Sequence, residues 1–323
     1  MFGKEGNSPG HGENWERELL ERLSTASLNE QRRSRRWNIF FKFLIFGYLF
    51  MLVLLAMQDS EMAETSSKAR EHVAMVEVNG MISDATKANA DRIIEGLRDA
   101  FDNDKVKAIV LRINSPGGSP VQSDYVYREI KRLREKHKDI PVHAVIVDVG
   151  ASGAYYIASA ADNIYVNPSS IVGSIGVLMN GFGFTGAMEK LGVERRLLTA
   201  GESKGMLDPF TPLNKDEVKH VKSLLNDIHH HFIEAVKEGR GERLKSDKNL
   251  FTGMFWTGSQ SIELGLADAI GDVDYVAREV IQVEDVVDYS PKPDFLKRFA
   301  DRLGASMANV LADRMQIDSL ALH

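Results

Sequence analysis

From Trp37 to Met57 the chain runs through 21 residues whose only charge is Lys42, near one end where a long side chain can snorkel toward lipid headgroups. That length predicts one transmembrane helix over 37–57. The flank before it carries Arg32, Arg33, Arg35 and Arg36 without an acid, whereas Gln58 to His72 hold Asp59, Glu61, Glu64 and Glu71 against Lys68 and Arg70. The asymmetry predicts a single-pass protein of the cytoplasmic (inner) membrane, with residues 1–36 as a cytoplasmic tail and the remainder on the periplasmic or other extracytoplasmic side. A cleavable signal peptide fits less well, because its apolar region would be shorter and its basic region closer to the start.

Beyond a polar linker over 58–72, strand-like and helix-like periods alternate. Val73–Val78 and Val106–Ile113 are strand runs, and between them Ile93, Ile94, Leu97, Ala100 and Phe101 share one helix face, which makes a βαβ unit. Tyr125–Lys138 predicts a second helix, Val142–Val149 a third, nearly all-apolar strand, and Gly153–Ala161 a helix of small residues and tyrosines. Ile164–Val166 and Val193–Thr199 continue the strand pattern, after which Val218, Val221, Leu225, Ile228, Phe232 and Ala235 stripe a long helix. Continuous apolar strands alternating with helices belong to a parallel sheet, so the fold class is α/β. In the last stretch, 291–323, Leu296, Phe299, Leu303, Met307, Val310, Leu311 and Met315 form one apolar stripe. It predicts an amphipathic C-terminal helix that docks on its own domain or on a neighbouring subunit, with the membrane surface as the less favoured place.

Composition narrows the chemistry. Apolar residues make up 43% of the 323 positions, enough for a core, and a net charge of −6 gives no chain-wide basic surface for nucleic acid. The chain has no Cys, which excludes disulfides, thiolate nucleophiles and Cys-based metal sites; neither a metal nor a cofactor is expected.

Three glycine-rich junctions stand where predicted strands end, the usual place for sites in α/β proteins. In Ser115-Pro116-Gly117-Gly118-Ser119 two glycines can turn backbone N–H groups toward one point, as a tight turn or as an anion cradle; the order required of a nucleotide P-loop is missing. In Gly150-Ala151-Ser152-Gly153-Ala154 a serine lies directly between a strand and a helix. It is either an N-cap or a nucleophile, and the second reading needs a base. None of the nine histidines has a catalytic context: His229, His230 and His231 point to different faces of one helix, His143 lies inside a buried strand, and His220 flanks an apolar stripe. Lysine is the other available base, and Gly201-Glu202-Ser203-Lys204-Gly205 presents one among glycines.

SPGGS, then GASGAYYIASAAD, VGSIGV over 172–177, and G-x-x-K over 201–204 followed by Asp208-Pro209-Phe210 occur in an order that resembles the signal peptide peptidase A family. These are membrane-anchored serine peptidases of the S49 class, related in fold to the ClpP/crotonase group. Trp256-Thr257-Gly258 and Gly265-Leu266-Ala267-Asp268 continue the likeness across a catalytic domain over 73–290, present in one copy as in the short forms. The resemblance implies a ClpP/crotonase-like core of stacked βαβ units behind the single anchor. It implies Ser152 as nucleophile, Lys204, 52 residues later, as general base, and Ser174 as the hydroxyl that orients the amine. It further implies an oxyanion hole from the N–H groups of Gly153 and the PGG turn, Gly118 ahead of Gly117. Cleaved signal peptides are the implied substrate, and a homo-oligomer in which the lysine can come from a neighbour is the implied assembly.

An ordinary lysine titrates near ~10.4, so a lysine base needs an apolar, partly desolvated pocket, and Met206, Leu207 and Phe210 are the adjacent walls. The alternative function is a non-proteolytic membrane scaffold or acyl-binding protein on a crotonase-like fold, with Ser152 as a helix cap. A Ser-His-Asp lipid hydrolase would require a histidine beside Ser152.

Overall fold

Strands that are apolar on both faces need cover on both faces, and the sheet of this protein has it. The structure is a computed structural model that describes Glu21, residues 33–51 and residues 68–291. The chain divides into two compact units, Met1–Ser66 and Ser67–His323.

The first unit is described mainly through helix α1 (residues 33–51), whose side chains are exposed, Phe43 by 75% and Phe46 by 77%. Among the described residues no helix is long and apolar enough to cross a membrane; the described part of α1 includes Arg33, Arg35 and Arg36 and stops at Met51. Residues 52–57 of the expected span, the linker to residue 67 and most of the expected tail lie outside the described residues, as does the expected C-terminal helix beyond Pro291.

The second unit runs β1 (His72–Asn79), α2 (Ala90–Phe101), β2 (Val106–Ser115), α3 (Pro120–Lys136), β3 (Val142–Ala151), α4 (Gly153–Ala158), β4 (Asn163–Val166) and β5 (Ile171–Gly173). It continues with α5 (Thr185–Leu191), α6 (Lys215–Arg240), β6 (Phe255–Thr257), α7 (Gly258–Glu263), β7 (Ala269–Ile270), α8 (Val273–Tyr275), a π-helical stretch over Val276–Ile281, and β8 (Val286–Asp288). The sheet order is β6-β5-β3-β2-β1-β8, with β4 pairing β3 and β7, and every pairing is parallel except β5 with β6. Ile109, Leu111, Ile113, Val142, Ala144 and Ile146 belong to the main core with Ile93, Leu97 and Phe101 of α2 and Ile130 of α3. On the other face Val73, Val110, Val145 and Tyr165 pack with Val276 and Ala277. This two-sided burial is why the strands read as unbroken apolar runs.

Two helix boundaries illustrate local control. The Asn89 side chain caps α2 by accepting from the Arg92 N–H, and the Ser119 side chain caps α3 by accepting from Gln122. Helix α3 therefore begins at Pro120, before the first apolar repeat near Tyr125, because capping and a proline in the first turn start a helix without any apolar side chain. The strand expected at Val193–Thr199 is absent. Residues 193–199 pair with no neighbouring strand, and Leu198 is 96% exposed, so an apolar run here reflects a face left uncovered and not a place in the sheet.

Two buried polar networks tie distant parts together. Arg240, fully buried, donates to both Asp268 carboxylate oxygens at 2.8 Å and to the Gly265 carbonyl at 2.9 Å. Burial alone would raise the Asp268 carboxyl, but the hydrogen bonds and charge of Arg240 outweigh it and hold the group below the usual carboxylate range. At the sheet's far edge His72 Nε2 lies 2.9 Å from the Tyr289 hydroxyl, which also accepts from Asn103 Nδ2 at 2.7 Å.

Candidate active site

Strands β2, β3 and β5 are adjacent and parallel, so their carboxyl ends emerge side by side: Ser115 stands opposite Gly150, and Ala151 opposite Gly173. Two of the three glycine-rich junctions of the sequence, the PGG turn and the Ser152 junction, thereby meet at the carboxyl ends of the strands, joined by Gly173-Ser174 after β5, whereas Gly201–Gly205 follows no strand and lies outside the cleft. The Ser152 N–H donates to the Gly173 carbonyl at 2.8 Å, which couples the serine junction to the one that carries Ser174.

Ser152 occupies the N-cap position of α4 with φ 54° and ψ −126°, and its side chain makes no capping hydrogen bond. A left-handed backbone at a non-glycine residue costs on the order of 1–3 kcal/mol and persists only where its surroundings impose it. The ordinary capping role is thus unfilled. Ser174 is also left-handed, at φ 51°, with its N–H held by the Met254 carbonyl at 2.7 Å.

Opposite Ser152 the PGG turn approaches closely. A Cβ on Gly117 (φ +95°) would lie 2.7 Å from the Ser152 Cβ, and one on Gly118 (φ +153°) only 2.0 Å from the Ile82 carbonyl oxygen, so neither position admits a side chain. The Gly117 N–H donates to Ser115 Oγ at 3.1 Å, whereas the N–H groups of Gly118 and Gly153 have no acceptor among the described residues.

A cleft of about 510 Å³ opens here. Its floor holds Ser152, Gly117, Gly118, Gly153 and Ser174, and its walls include Met81, Val177, Leu178, Tyr156, Ile228 and Phe232. Tyr156 stacks on Phe232 with ring centroids 4.9 Å apart and donates its hydroxyl to Asp124 at 3.0 Å; burial, then the Asp124 charge, push its phenol above the usual value.

Ser152, Gly118, Gly153 and Ser174 therefore come together, and Lys204 does not join them within one chain. Lys204 is exposed, sits in a turn whose N–H donates to Gly201 at 3.1 Å, and is not among the cleft's lining residues. The pocket expected around it is likewise not closed: Phe210 is 41% exposed, though it stacks on Phe184 at 5.5 Å. No histidine lines the cleft; His229 reaches the Ile175 carbonyl at 3.1 Å, and His143 is buried in β3. Among the described residues no group of three or more His, Asp or Glu could hold a metal. Sequence reasoning missed Tyr156, Ile228, Phe232, Thr252 and Gly253 as cleft residues. Ile228 and Phe232 were visible only as part of a helix stripe, which core and cleft positions share.

The chain matches the profile of peptidase family S49 over residues 134–287. It is 33% identical over 205 residues to a protein of Synechocystis sp. provisionally named a protease, covering 64% of this chain and 72% of that one. A protein of Enterococcus faecium provisionally named signal peptide peptidase SppA is 29% identical over 211 residues, 63% of this chain and 61% of the relative. A protein of Brucella melitensis named Na(+)/H(+) antiporter NhaA is 47% identical over 177 residues, 55% of this chain. That match takes up 24% of the Brucella protein, and the transport in its name is said of that longer protein.

Proposed function

This chain belongs to peptidase family S49, and on that premise we propose that it is a membrane-anchored serine endopeptidase with Ser152 as nucleophile and Lys204 as general base. One observation carries the reading: a left-handed serine at a helix N-terminus, with no capping bond, faces two backbone N–H groups that have no acceptor among the described residues. Strain of this kind needs a reason, and a partly buried nucleophile beside an oxyanion cradle supplies one.

The chemistry follows from the geometry. The base takes the Ser152 hydroxyl proton as Oγ attacks the peptide carbonyl carbon. Negative charge then gathers on the carbonyl oxygen between the Gly118 and Gly153 N–H groups, each such donor contributing about 3 kcal/mol to the transition state. The protonated base gives its proton to the leaving amine, and water releases the acyl group by the reverse sequence. Nothing among the cleft's lining residues can act as that base within one chain, so we propose that the amine of Lys204 is delivered by a neighbouring copy in a homo-oligomer, with Ser174 orienting it. A lysine works as a base only where an apolar surface strips its water, which the exposed face around Lys204 gains once covered.

The apolar walls suit apolar peptide segments. The name of the Enterococcus relative and the apolar span over 37–57 together support cleaved signal peptides in or near the membrane as substrate. The arginines before the span support a cytoplasmic N-terminus and an extracytoplasmic second unit in the cytoplasmic membrane. The second unit fits a ClpP/crotonase-like core.

The test is fluorophosphonate labelling of the full chain in detergent. Labelling should be strong in the wild type and absent in Ser152→Ala and Lys204→Ala, with the fold of each unchanged. Undiminished labelling of Ser152→Ala would sink the assignment. No labelling of the wild type in any detergent would favour the scaffold or acyl-binding reading, which the lack of a base in the single-chain cleft supports.

A further inference from the structure

We propose that Ser115 is a positioning residue: its buried hydroxyl engages the Gly117 N–H and so leaves the Gly118 N–H aimed at the carbonyl oxygen of a bound peptide. The proposal rests on Ser152 being the nucleophile of a peptidase, as read above.

The argument begins with an account of donors along 116–120. Pro116 and Pro120 have no N–H, the Gly117 N–H is bonded to Ser115 Oγ at 3.1 Å, and the Ser119 N–H is bonded to the Ile82 carbonyl at 2.8 Å. Gly118 alone keeps a donor without an acceptor among the described residues. The resemblance puts Gly118 ahead of Gly117 without a physical reason for the order, and the Ser115 hydroxyl supplies one.

The turn also needs holding. With Gly117 at φ +95° and Gly118 at φ +153°, no side chain restrains its peptide planes, so a hydrogen bond must. The Ile82 N–H fixes one side by donating to the Gly117 carbonyl at 2.9 Å, and Ser115 fixes the other.

Ser115 itself is set by an irregularity in the sheet. Between Ile113 and Ser115 the ladder advances two residues on β2, while β3 advances four, from Ile146 to Gly150. Asn114 fills the gap with its side chain, donating to Asp148 at 2.9 Å and accepting from the Val149 N–H at 3.3 Å, and its carbonyl accepts from the Gly80 N–H at 3.0 Å. The irregularity leaves Ser115 fully buried beneath its own turn.

The experiment compares the full-length wild type with Ser115→Ala and Ser115→Cys, whose sulfur fills similar space but accepts weakly. Three readouts are taken: fluorophosphonate labelling, steady-state cleavage of an apolar peptide, and affinity for a peptide boronate and for the matching free-acid peptide. The boronate forms a tetrahedral adduct on Ser152 and fills the oxyanion position, whereas the free acid does not. Ser115→Ala should lose roughly tenfold to a hundredfold in kcat with KM within about twofold, and boronate affinity should fall by the same factor while free-acid affinity stays put. Ser115→Cys should fall between alanine and wild type, and it decides the matter if the alanine variant does not fold. Wild-type kcat and boronate affinity in both variants would overturn the proposal. So would equal weakening of both ligands together with a lowered Tm, since that marks a merely structural serine. A wild type that takes no label overturns the peptidase reading itself.

Discussion

In residues 72–173, Leu97, Ile113, Ile146 and Tyr155 are buried, and the strand ends they support bring Ser152, Gly118 and Gly153 to one cleft. In residues 176–214, Leu178, Leu191 and Leu198 stand in solvent, a single short helix forms, and Lys204 is exposed among turns. The two stretches have comparable apolar content but different means of satisfying it. The first finds its cover within the chain, so its geometry is fixed by packing; the second offers an apolar surface that the described residues leave open. Half of the proposed machinery is thus built in advance, and the other half is proposed to be completed by assembly.

The largest effect that could break this contrast comes from mixing inactive variants. Ser152→Ala and Lys204→Ala should each lose about 10⁴-fold or more in peptide cleavage. Co-assembled from separately purified pools, the two should recover a substantial fraction of wild-type rate if the amine crosses between copies. No recovery, with mixed assembly verified by mass, would place serine and base in one chain.

Next comes the packed region's buried ion pair. Arg240→Ala leaves the Asp268 carboxylate only the Ile164 N–H at 2.7 Å and the Arg243 guanidinium at 3.3 Å and removes a buried side chain, and it should lower unfolding free energy by about 3 kcal/mol in a denaturant titration. A loss near zero would show that water reaches the site freely.

A matched pair of leucines then tests the contrast directly. Leu97→Ala should cost about 2–5 kcal/mol of stability, because it opens a cavity in the main core. Leu198→Ala should leave unfolding within about 0.5 kcal/mol while weakening self-association measured by sedimentation. Equal destabilisation by both would erase the distinction between the two stretches.

The smallest effect is in acid. Hydrogen bonds from Arg132, opposed by burial and joined by Arg98, lower the Glu129 carboxyl from an ordinary 4.5 to about 2. A depressed carboxyl stabilises the fold above its unfolded value, so the contribution of Glu129 is full above pH 4.5 and fades as pH falls toward 2. Thermal melts should show a steeper acid loss in the wild type than in Glu129→Gln.

The same contrast explains what could be read in advance. The βαβ pattern, the apolar strands and the helix stripe of α6 were legible because burial imposes a period on the sequence, and the junctions at Gly117-Gly118 and Gly150–Gly153 were legible because turns at strand ends demand small residues; the third, at Gly201–Gly205, follows no strand. Val193–Thr199 misled because an apolar run that the described residues leave exposed has the same local pattern as a buried strand. The order of Gly118 before Gly117 came from the resemblance and not from the residues, because it depends on which N–H finds Ser115 Oγ, a matter of one rotation in a turn. Tyr156, Ile228 and Phe232 were hidden for another reason: a residue that walls a cleft on one side and packs on the other carries the pattern of core.

His72 opens β1, Tyr289 follows β8, and a side-chain contact joins them, so the described part of the second unit has its two ends at neighbouring points. A short glycine-serine tether could therefore splice those ends, with a new start cut into the exposed turn at Gly192, and the rearranged chain would keep its serine pocket intact.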